Sequence, residues 1–237
     1  ERDREKPFLA YLTYTAPHDP LHVPDDWLDR YQGAYSAGPE AIRTARNSRQ
    51  KALGLFPEDA GVWQPPQFPW FFPNHQDPWA ERDDDERAES SRRMEIYASM
   101  VEFMDQQLGR VIEQLRQSGD LDNTYVLFFS DNGASSSGPS IYPGNTPEWL
   151  EENWSLDPEE FGKPGSFAVM SMEWANVSNT PWRMFKGAVG EGGIRSPFIV
   201  RGPEIAAGTV SGALAHVSDL APTLYDLAGV TPESNPL

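Results

Sequence analysis

Apolar positions recur every three or four residues along one long stretch of the chain, and this spacing predicts a helix. The predicted helix runs from Glu81 to Gly119, with the glycine placed as a stop. Its apolar stripe, which predicts one buried face, consists of Tyr97, Met100, Val101, Met104, Leu108, Val111, Ile112 and Leu115. A second, shorter helix is predicted over Val217–Ala228, closed by Gly229.

Three short apolar runs of strand length alternate with the helical stretches. They are Phe8–Thr15, Tyr125–Phe129 and Pro197–Val200. The second run is apolar throughout, which is typical of a strand buried on both faces. Strands that alternate with helices predict an α/β layered fold with a largely parallel central sheet.

The segments between these elements are less regular. Residues 25–59 have a charged, helical pattern that begins near Asp25 and Asp26. The segment Gly61–Pro78 is rich in Pro, Trp and Phe, so we expect it to wrap over a surface or line a cleft. Ala134–Asn179 is predicted to be a long irregular section, and the four glycines at 187–193 to form a tight backbone turn.

Composition narrows the classes of protein and partner. With 237 residues, 38% of them hydrophobic, the chain can bury the core of one or at most two domains. No run approaches the roughly 18 apolar residues of a membrane-spanning helix. A formal charge of −17 repels nucleic acid and anionic membranes, so an anionic substrate would need cations focused in one cleft. The absence of Cys excludes disulfides, thiolate metal sites and a Cys nucleophile within this sequence.

Two hard oxygen donors stand side by side after the second predicted strand. Asp131 and Asn132 are followed by Gly133, which permits a sharp turn. A carboxylate and an amide oxygen suit Ca²⁺ or Mg²⁺, although the same three residue types also make an ordinary turn. Ligands of parallel α/β sheets collect at the carboxyl ends of strands, where Asp131 and His18 both fall.

Histidine and lysine supply the remaining candidate chemistry. His18 and His22 have the spacing of a metal pair on a helix, but Pro20 between them excludes a regular helix and hence a zinc pair of this type. His18 alone is either a structural group or an acid, base or anion donor. Lys186 lies between aromatic residues in an acidic chain and is either a surface lysine or an anion-binding cation. The other two histidines, His75 and His216, are expected to pack or to cap.

Taken in order, these motifs resemble type I sulfatases, and the bacterial arylsulfatases most nearly. The segments that carry the resemblance are Ala-Pro-His-Asp-Pro-Leu-His from Ala16, Phe-Ser-Asp-Asn-Gly-Ala from Phe129, Phe-Lys-Gly from Phe185, Glu-Gly-Gly-Ile-Arg-Ser-Pro from Glu191, and His-Val-Ser-Asp-Leu-Ala-Pro-Thr-Leu-Tyr-Asp-Leu-Ala-Gly from His216. They span nearly the whole chain. The ordered set is far more specific than any one of them.

The resemblance implies an alkaline-phosphatase-like fold and hydrolysis of sulfate esters with one Ca²⁺ ion and a formylglycine nucleophile. Asp131 and Asn132 match two calcium ligands of the family. His18 matches the histidine that approaches the sulfate and the leaving oxygen, and Lys186 matches the lysine that binds the sulfate. Two further residues in family motifs, Arg195 and Asp219, are expected to have structural roles. The implied partner is a small-molecule sulfate ester, with no nucleic acid and no membrane span, and the oligomeric state stays open, as does the choice between bacterial cytoplasm and periplasm.

The sequence also departs from the family pattern. It contains no Cys-x-Pro-x-Arg segment, from which formylglycine is formed, no paired acidic calcium ligands on a first strand and no Lys-x-His pair. We therefore expect residues 1–237 to be part of a sulfatase catalytic domain, incomplete at both ends: without the nucleophile segment and the smaller C-terminal subdomain, and inactive by itself. Two alternatives remain, a phosphodiester or phosphonate ester hydrolase of the same superfamily and a non-catalytic pseudoenzyme or binding module.

Overall fold

A computed structural model describes residues 6–62, 78–136, 138 and 143–231. These residues fall into two compact units, a large unit of residues 15–207 and a small unit of residues 6–14 and 208–231. Within the described residues, the α-helices are α1 (Pro39–Ala52), α2 (Asp84–Gln117), α3 (Pro147–Asn153), α4 (Met172–Ser178), α5 (Glu191–Ile194) and α6 (Leu220–Leu227), and the strands are β1 (Val126–Phe129) and β2 (Phe198–Arg201). Short 3-10 turns occupy Asp25–Trp27, Trp79–Glu81, Leu121–Asn123, Pro158–Glu160 and Val217–Asp219.

The long predicted helix is confirmed as α2. It begins with a capping box, in which the Asp83 carboxylate accepts from the Glu86 N–H and the Glu86 side chain accepts from the Asp83 N–H. Gly119, with φ at 77°, follows its end as predicted. The predicted buried face is confirmed only in part: Met100 is buried and Tyr97 packs against the core, but Val101 and Val111 are exposed. Burial is concentrated in the first half of the helix, around Ile96 and Met100, because the described core residues pack there and leave the second half more open.

Among the described residues, two clusters of buried side chains form much of the core of the large unit, and α2 contributes to both. One cluster contains Leu21, Val23, Trp27, Ile96, Met100, Phe161 and Ala168, and the other contains Met94, Met170, Trp174, Ala175 and Val177. Trp174 is fully buried, and its indole N–H donates to the Ser90 hydroxyl at 3.0 Å, so burial leaves no polar atom of this ring unpaired. The loop that carries Leu21 and helix α4 therefore both pack against α2.

The predicted parallel sheet is not found among the described residues. The two described strands, β1 and β2, match the runs predicted at 125–129 and 197–200, but they pair antiparallel with Phe129 opposite Phe198. The residues of β1 are only half-buried and those of β2 are exposed, so burial on both faces was also wrong. What the structure establishes is a mixed α/β chain.

The apolar run Phe8–Thr15 does not form the predicted strand. Its side chains are largely exposed, with Leu9 at 78% and Tyr11 at 81%. An apolar run becomes a strand only when a partner strand takes up its backbone hydrogen bonds, and this segment belongs to no ladder in the described structure. In the small unit, the helix predicted over 217–228 is confirmed as the turn Val217–Asp219 followed by α6.

Two irregular regions also differ from prediction. The helical pattern of 25–59 gives only a 3-10 turn at its start, and the helix itself begins at Pro39. The section 134–179, predicted to be irregular, contains α3 and α4, which start at side-chain caps from Thr146 and Ser171. Helices of seven residues are too short to show the repeated apolar spacing from which α2 was predicted. Most of Gly61–Pro78 lies outside the described residues.

Among the described residues, no helix is both long and apolar enough to cross a membrane.

Candidate functional site

The loop that carries His18 is attached to the segment that follows the 3-10 turn Pro158–Glu160. Leu21 N–H donates to the Ala168 carbonyl at 3.0 Å, and the His22 ring nitrogen Nε2 donates to the Ser166 carbonyl at 2.8 Å. The Leu21 side chain is buried between these contacts. His22 therefore has a structural role, and the loop holds His18 in a defined place.

His18 and Lys186 are brought into direct contact. Lys186 Nζ lies 2.9 Å from His18 Nε2, although the two residues are 168 positions apart in the sequence. The other ring nitrogen, Nδ1, lies 2.8 Å from the Asp19 carbonyl oxygen and 3.2 Å from its carboxylate. Both Asp19 atoms accept only, so Nδ1 carries a proton, and an ammonium donor at Nε2 requires a lone pair there. With Lys186 as the donor, these contacts match the tautomer that carries its proton on Nδ1.

Lys186 lies in a tightly turned segment between α4 and α5. Its backbone N–H donates to the Ala134 carbonyl at 2.9 Å, which joins this segment to the loop after β1. Nearby, the Gly192 N–H donates to the Arg183 carbonyl at 2.8 Å, and a Cβ at Gly192 would come within 2.1 Å of the Met184 carbonyl oxygen. The tight backbone turn predicted for these glycines is confirmed.

The Asp-Asn-Gly loop at 131–133 follows β1, with only Ser130 between the strand and the loop. The Ser130 hydroxyl donates to the Asn132 carbonyl at 2.8 Å and closes a tight turn. Gly133 N–H donates to the Gly193 carbonyl at 3.0 Å. The loop with the predicted metal donors and the segment with Lys186 are therefore bonded to each other through their backbones.

Asp131 and Asn132 offer donor atoms of the type that a calcium ion prefers, but too few of them to hold one. Asp131 is exposed, and the Asn132 amide nitrogen donates to the Gly133 carbonyl at 3.0 Å, which leaves the amide oxygen as its atom for a metal. Both donors are hard oxygens, but Ca²⁺ takes about six to eight of them. Among the described residues, no group of three or more His, Cys, Asp or Glu side chains could hold a metal ion.

The structure also locates the other residues singled out in the sequence. The Arg195 guanidinium lies 4.5 Å from the centre of the Trp182 ring, and Asp219 accepts from the His216 N–H at 2.7 Å in a capping box. These contacts support the structural roles predicted for Arg195 and Asp219 and the capping role of His216. His75 lies outside the described residues.

Two residues of the site had no role in the sequence prediction. Asp19, whose side chain is 4% exposed, contacts the His18 ring, and Asn179 bonds both loops through its side chain. The position of an acid directly after a candidate catalytic histidine is a signal that could have identified Asp19 from the sequence. Nothing comparable marks Asn179, because its partners lie in segments brought together only by folding.

The known proteins that are similar to this chain belong to one family. The family model described as Sulfatase matches residues 1–230. An uncharacterized sulfatase of Schizosaccharomyces pombe is 38% identical over 97% of this chain and 40% of its own length. An arylsulfatase of Klebsiella aerogenes is 35% identical over 98% of this chain and 48% of its own length. The chain thus spans less than half the length of these two relatives.

A search of solved structures finds Ps i-CgsB in complex with k-i-k-neocarrahexaose. The alignment covers 92% of this chain and 28% of that one, with a TM-score of 0.45 and 21% sequence identity. A likeness at this level carries no inference about the chain.

Proposed function

The chain belongs to the sulfatase family, and from this premise we propose that the protein hydrolyses sulfate esters, with aryl sulfates as its substrate class. The observation that carries the proposal is the contact between Lys186 and His18 at 2.9 Å. A cation and an imidazole from distant parts of a strongly acidic chain meet beside a loop with two oxygen donors. This arrangement supplies the local positive charge that a sulfate ester needs in order to bind a chain of net charge −17.

We assign Lys186 to the sulfate oxygens. Its ammonium group would form charge-assisted hydrogen bonds with the ester in the ground state and in the transition state. His18 is assigned to the oxygen that leaves. To protonate that oxygen, Nε2 must first take up a proton from solvent, and Lys186 must turn from Nε2 to the sulfate when substrate binds. Asp19 holds the ring through Nδ1 in both states.

A calcium ion would be held in part by Asp131 and Asn132. When bound, it would supply positive charge to the sulfate oxygens and the attacking group, adding to the charge of Lys186. The two residues provide one carboxylate charge and a minority of the oxygens that Ca²⁺ requires, so further ligands must come from other residues. The proposed nucleophile is a formylglycine, and no residue of these 237 is assigned to it.

The proposed fold is the alkaline-phosphatase-like layered fold with a largely parallel sheet. Its support is the family membership. The proposed partner remains a small sulfate ester and neither nucleic acid nor membrane, in keeping with the acidic charge.

Turnover by the full-length protein tests the proposal. We expect 4-nitrophenyl sulfate to be hydrolysed with a much higher kcat/KM than bis(4-nitrophenyl) phosphate or a phosphonate ester, and chelation of divalent metal to lower it. Lys186→Ala should lower kcat/KM by about 10²-fold, as expected for a charge lost from a transition-state site. The matched control is Lys163→Ala, which removes an exposed lysine paired with Glu160. Preference for the phosphodiester would favour the related hydrolase, and no turnover of any ester would favour a pseudoenzyme.

A further inference from the structure

Asn179 lies between the two loops of the proposed site and bonds both of them. Its amide oxygen accepts from the Ala134 N–H at 3.0 Å, and its amide nitrogen donates to the Met184 carbonyl at 3.0 Å. Ala134 directly follows the Asp-Asn-Gly loop, and Met184 lies two residues before Lys186. One side chain therefore spans the gap between the metal-donor loop and the lysine loop.

A third hydrogen bond joins these two, so that Asn179, Ala134 and the segment with Lys186 are all linked to one another. Ala134 uses its N–H to bond Asn179 and its carbonyl to accept from the Lys186 N–H at 2.9 Å. The placement of the Lys186 backbone thus depends on Ala134, whose own placement depends on Asn179. The bonds are partly buried, where an unmade hydrogen bond is not freely replaced by water.

The side-chain amide matches both contacts. One partner of Asn179 is a donor and the other is an acceptor, and Asn presents an acceptor and a donor on the two branches of one short side chain. A carboxylate at this position would still accept from Ala134 but would direct an oxygen at the Met184 carbonyl. The space is also restricted, since a Cβ at Gly133 would lie 3.2 Å from the Asn179 amide nitrogen.

Helix α1 holds the backbone around Asn179 from the other side. Gln50 donates to the Thr180 carbonyl at 2.7 Å, and Arg43 donates to the Trp182 carbonyl at 3.0 Å. Arg46 donates to the Ser178 carbonyl at 3.3 Å. Arg43 is buried, so this contact lies away from water. The same burial lowers the pKa of the Arg43 guanidinium to about 10. Asn179 is therefore presented to the two loops from an anchored backbone.

We infer that Asn179 is a positioning residue, which sets the distance between the Asp131–Asn132 loop and Lys186. The inference rests on the proposed function in one respect, namely that the two loops act on one substrate. Its structural part, the coupling of the loops through the Asn179 amide, can be tested without any substrate.

Hydrogen exchange and kinetics of the full-length protein test the two parts. Asn179→Ala should speed exchange at the Ala134 and Lys186 amides relative to wild type, while core amides of α2 keep their protection. It should also lower kcat/KM for 4-nitrophenyl sulfate by about 10- to 100-fold, since small misplacements of catalytic groups have effects of this size. Asn179→Asp, which is nearly isosteric, should lower kcat/KM while retaining protection at Ala134.

The matched control is Asn153→Asp, which removes an exposed amide that donates to the Trp149 carbonyl within α3. It should leave exchange at Ala134 and Lys186 and kcat/KM unchanged. If Asn179 acts through Lys186, its substitution should cost little further activity in a Lys186→Ala background. If Asn179 had a purely structural role, the losses of kcat/KM from the two substitutions would instead multiply.

The outcomes separate the inference from the function on which it rests. Unchanged exchange at Ala134 and Lys186 in Asn179→Ala, or kinetic losses that multiply in full, would overturn the positioning role. Should Asn179→Ala fail to fold, Asn179→Asp decides, because wild-type kcat/KM in that variant would equally overturn it. Absence of sulfatase activity in the wild-type protein would refute the proposed function, and hydrogen exchange would still decide whether Asn179 couples the loops.

Discussion

At the scale of single residues, the contacts of the His18 ring determine what must change before it can act as an acid. Its Nε2 lies 2.9 Å from Lys186 Nζ, and with Lys186 as the donor this nitrogen has no proton to give. Binding of a sulfate ester would offer Lys186 a stronger, anionic acceptor and release Nε2. Lys186 would then bind a charge that is present throughout the reaction, whereas His18 would handle a proton that moves.

The two alanine variants should therefore differ in how rate depends on the leaving group. For His18→Ala in the full-length protein, kcat/KM should fall more steeply than in wild type as the leaving phenol becomes more basic, by up to roughly 10²- to 10⁴-fold for the most basic phenols. For Lys186→Ala the loss should be similar for every ester. The measurement is kcat/KM across a series of substituted phenyl sulfates. Parallel lines for wild type and His18→Ala would mean that His18 binds or positions the sulfate and donates no proton.

At the scale of elements, the site depends on backbone segments that touch each other directly. The sequence suggested that Gly133 serves a sharp turn, but the structure gives a different reason for a glycine there. A Cβ at this position would lie 1.7 Å from the Gly192 carbonyl oxygen, so the loop after β1 can approach α5 this closely only because Gly133 has no side chain. The closeness of the two loops is thus a property of their packing.

A pair of glycine substitutions tests this explanation. Gly133→Ala should destabilise the protein by about 1–3 kcal/mol, because two backbone segments must move apart. Gly109→Ala, at an exposed position of α2 where a Cβ meets no atom within 4 Å, should stabilise it by about 0.5–1 kcal/mol through helix propensity. Urea unfolding of both variants beside wild type measures the difference. Equal stability of Gly133→Ala and wild type would show that the loops separate at no cost.

At the scale of the whole molecule, exposed ion pairs join segments far apart in the sequence. Arg30, in the turn region after the first 3-10 turn, donates through Nε to the Glu102 carboxylate of α2 at 2.9 Å. The hydrogen bond from Arg30 lowers the pKa of the Glu102 carboxyl to about 2, and a hydrogen bond from Tyr31 acts in the same direction. Surface pairs of this type contribute little at neutral pH, and salt screens them.

The stability of the protein should depend on pH through this pair. A carboxyl with a lowered folded pKa contributes stability above its unfolded value, near 4.5, and loses it as pH falls toward about 2. Glu102→Gln should therefore be less stable than wild type at neutral pH, and the difference should disappear between about pH 4.5 and pH 2. Urea midpoints across this range measure it. Glu152→Gln, at an exposed position of α3, is the control, and a pH-independent difference for Glu102→Gln would contradict the assignment.

Several elements could be predicted from the sequence because their causes are local. The hydrogen bonds of a helix join residues four apart, so the apolar spacing and the terminal glycine were enough to predict α2, and the last helix of the chain followed in the same way. The residues of the candidate site were likewise recognisable from ordered motifs. That identification remains a prediction for His18, Lys186, Asp131 and Asn132.

Other features were decided only by tertiary structure. A strand depends on a distant partner, so Phe8–Thr15 forms none while β1 and β2 pair antiparallel, against the expected parallel order. Contact between Lys186 and His18, and the link through Asn179, join segments that no local pattern relates. The sequence by itself indicated which residues are chemically capable, and it located the long helix α2 and the last helix of the chain. Folding decided which of them meet, because side-chain contacts and strand pairing are set by packing between segments distant in the chain.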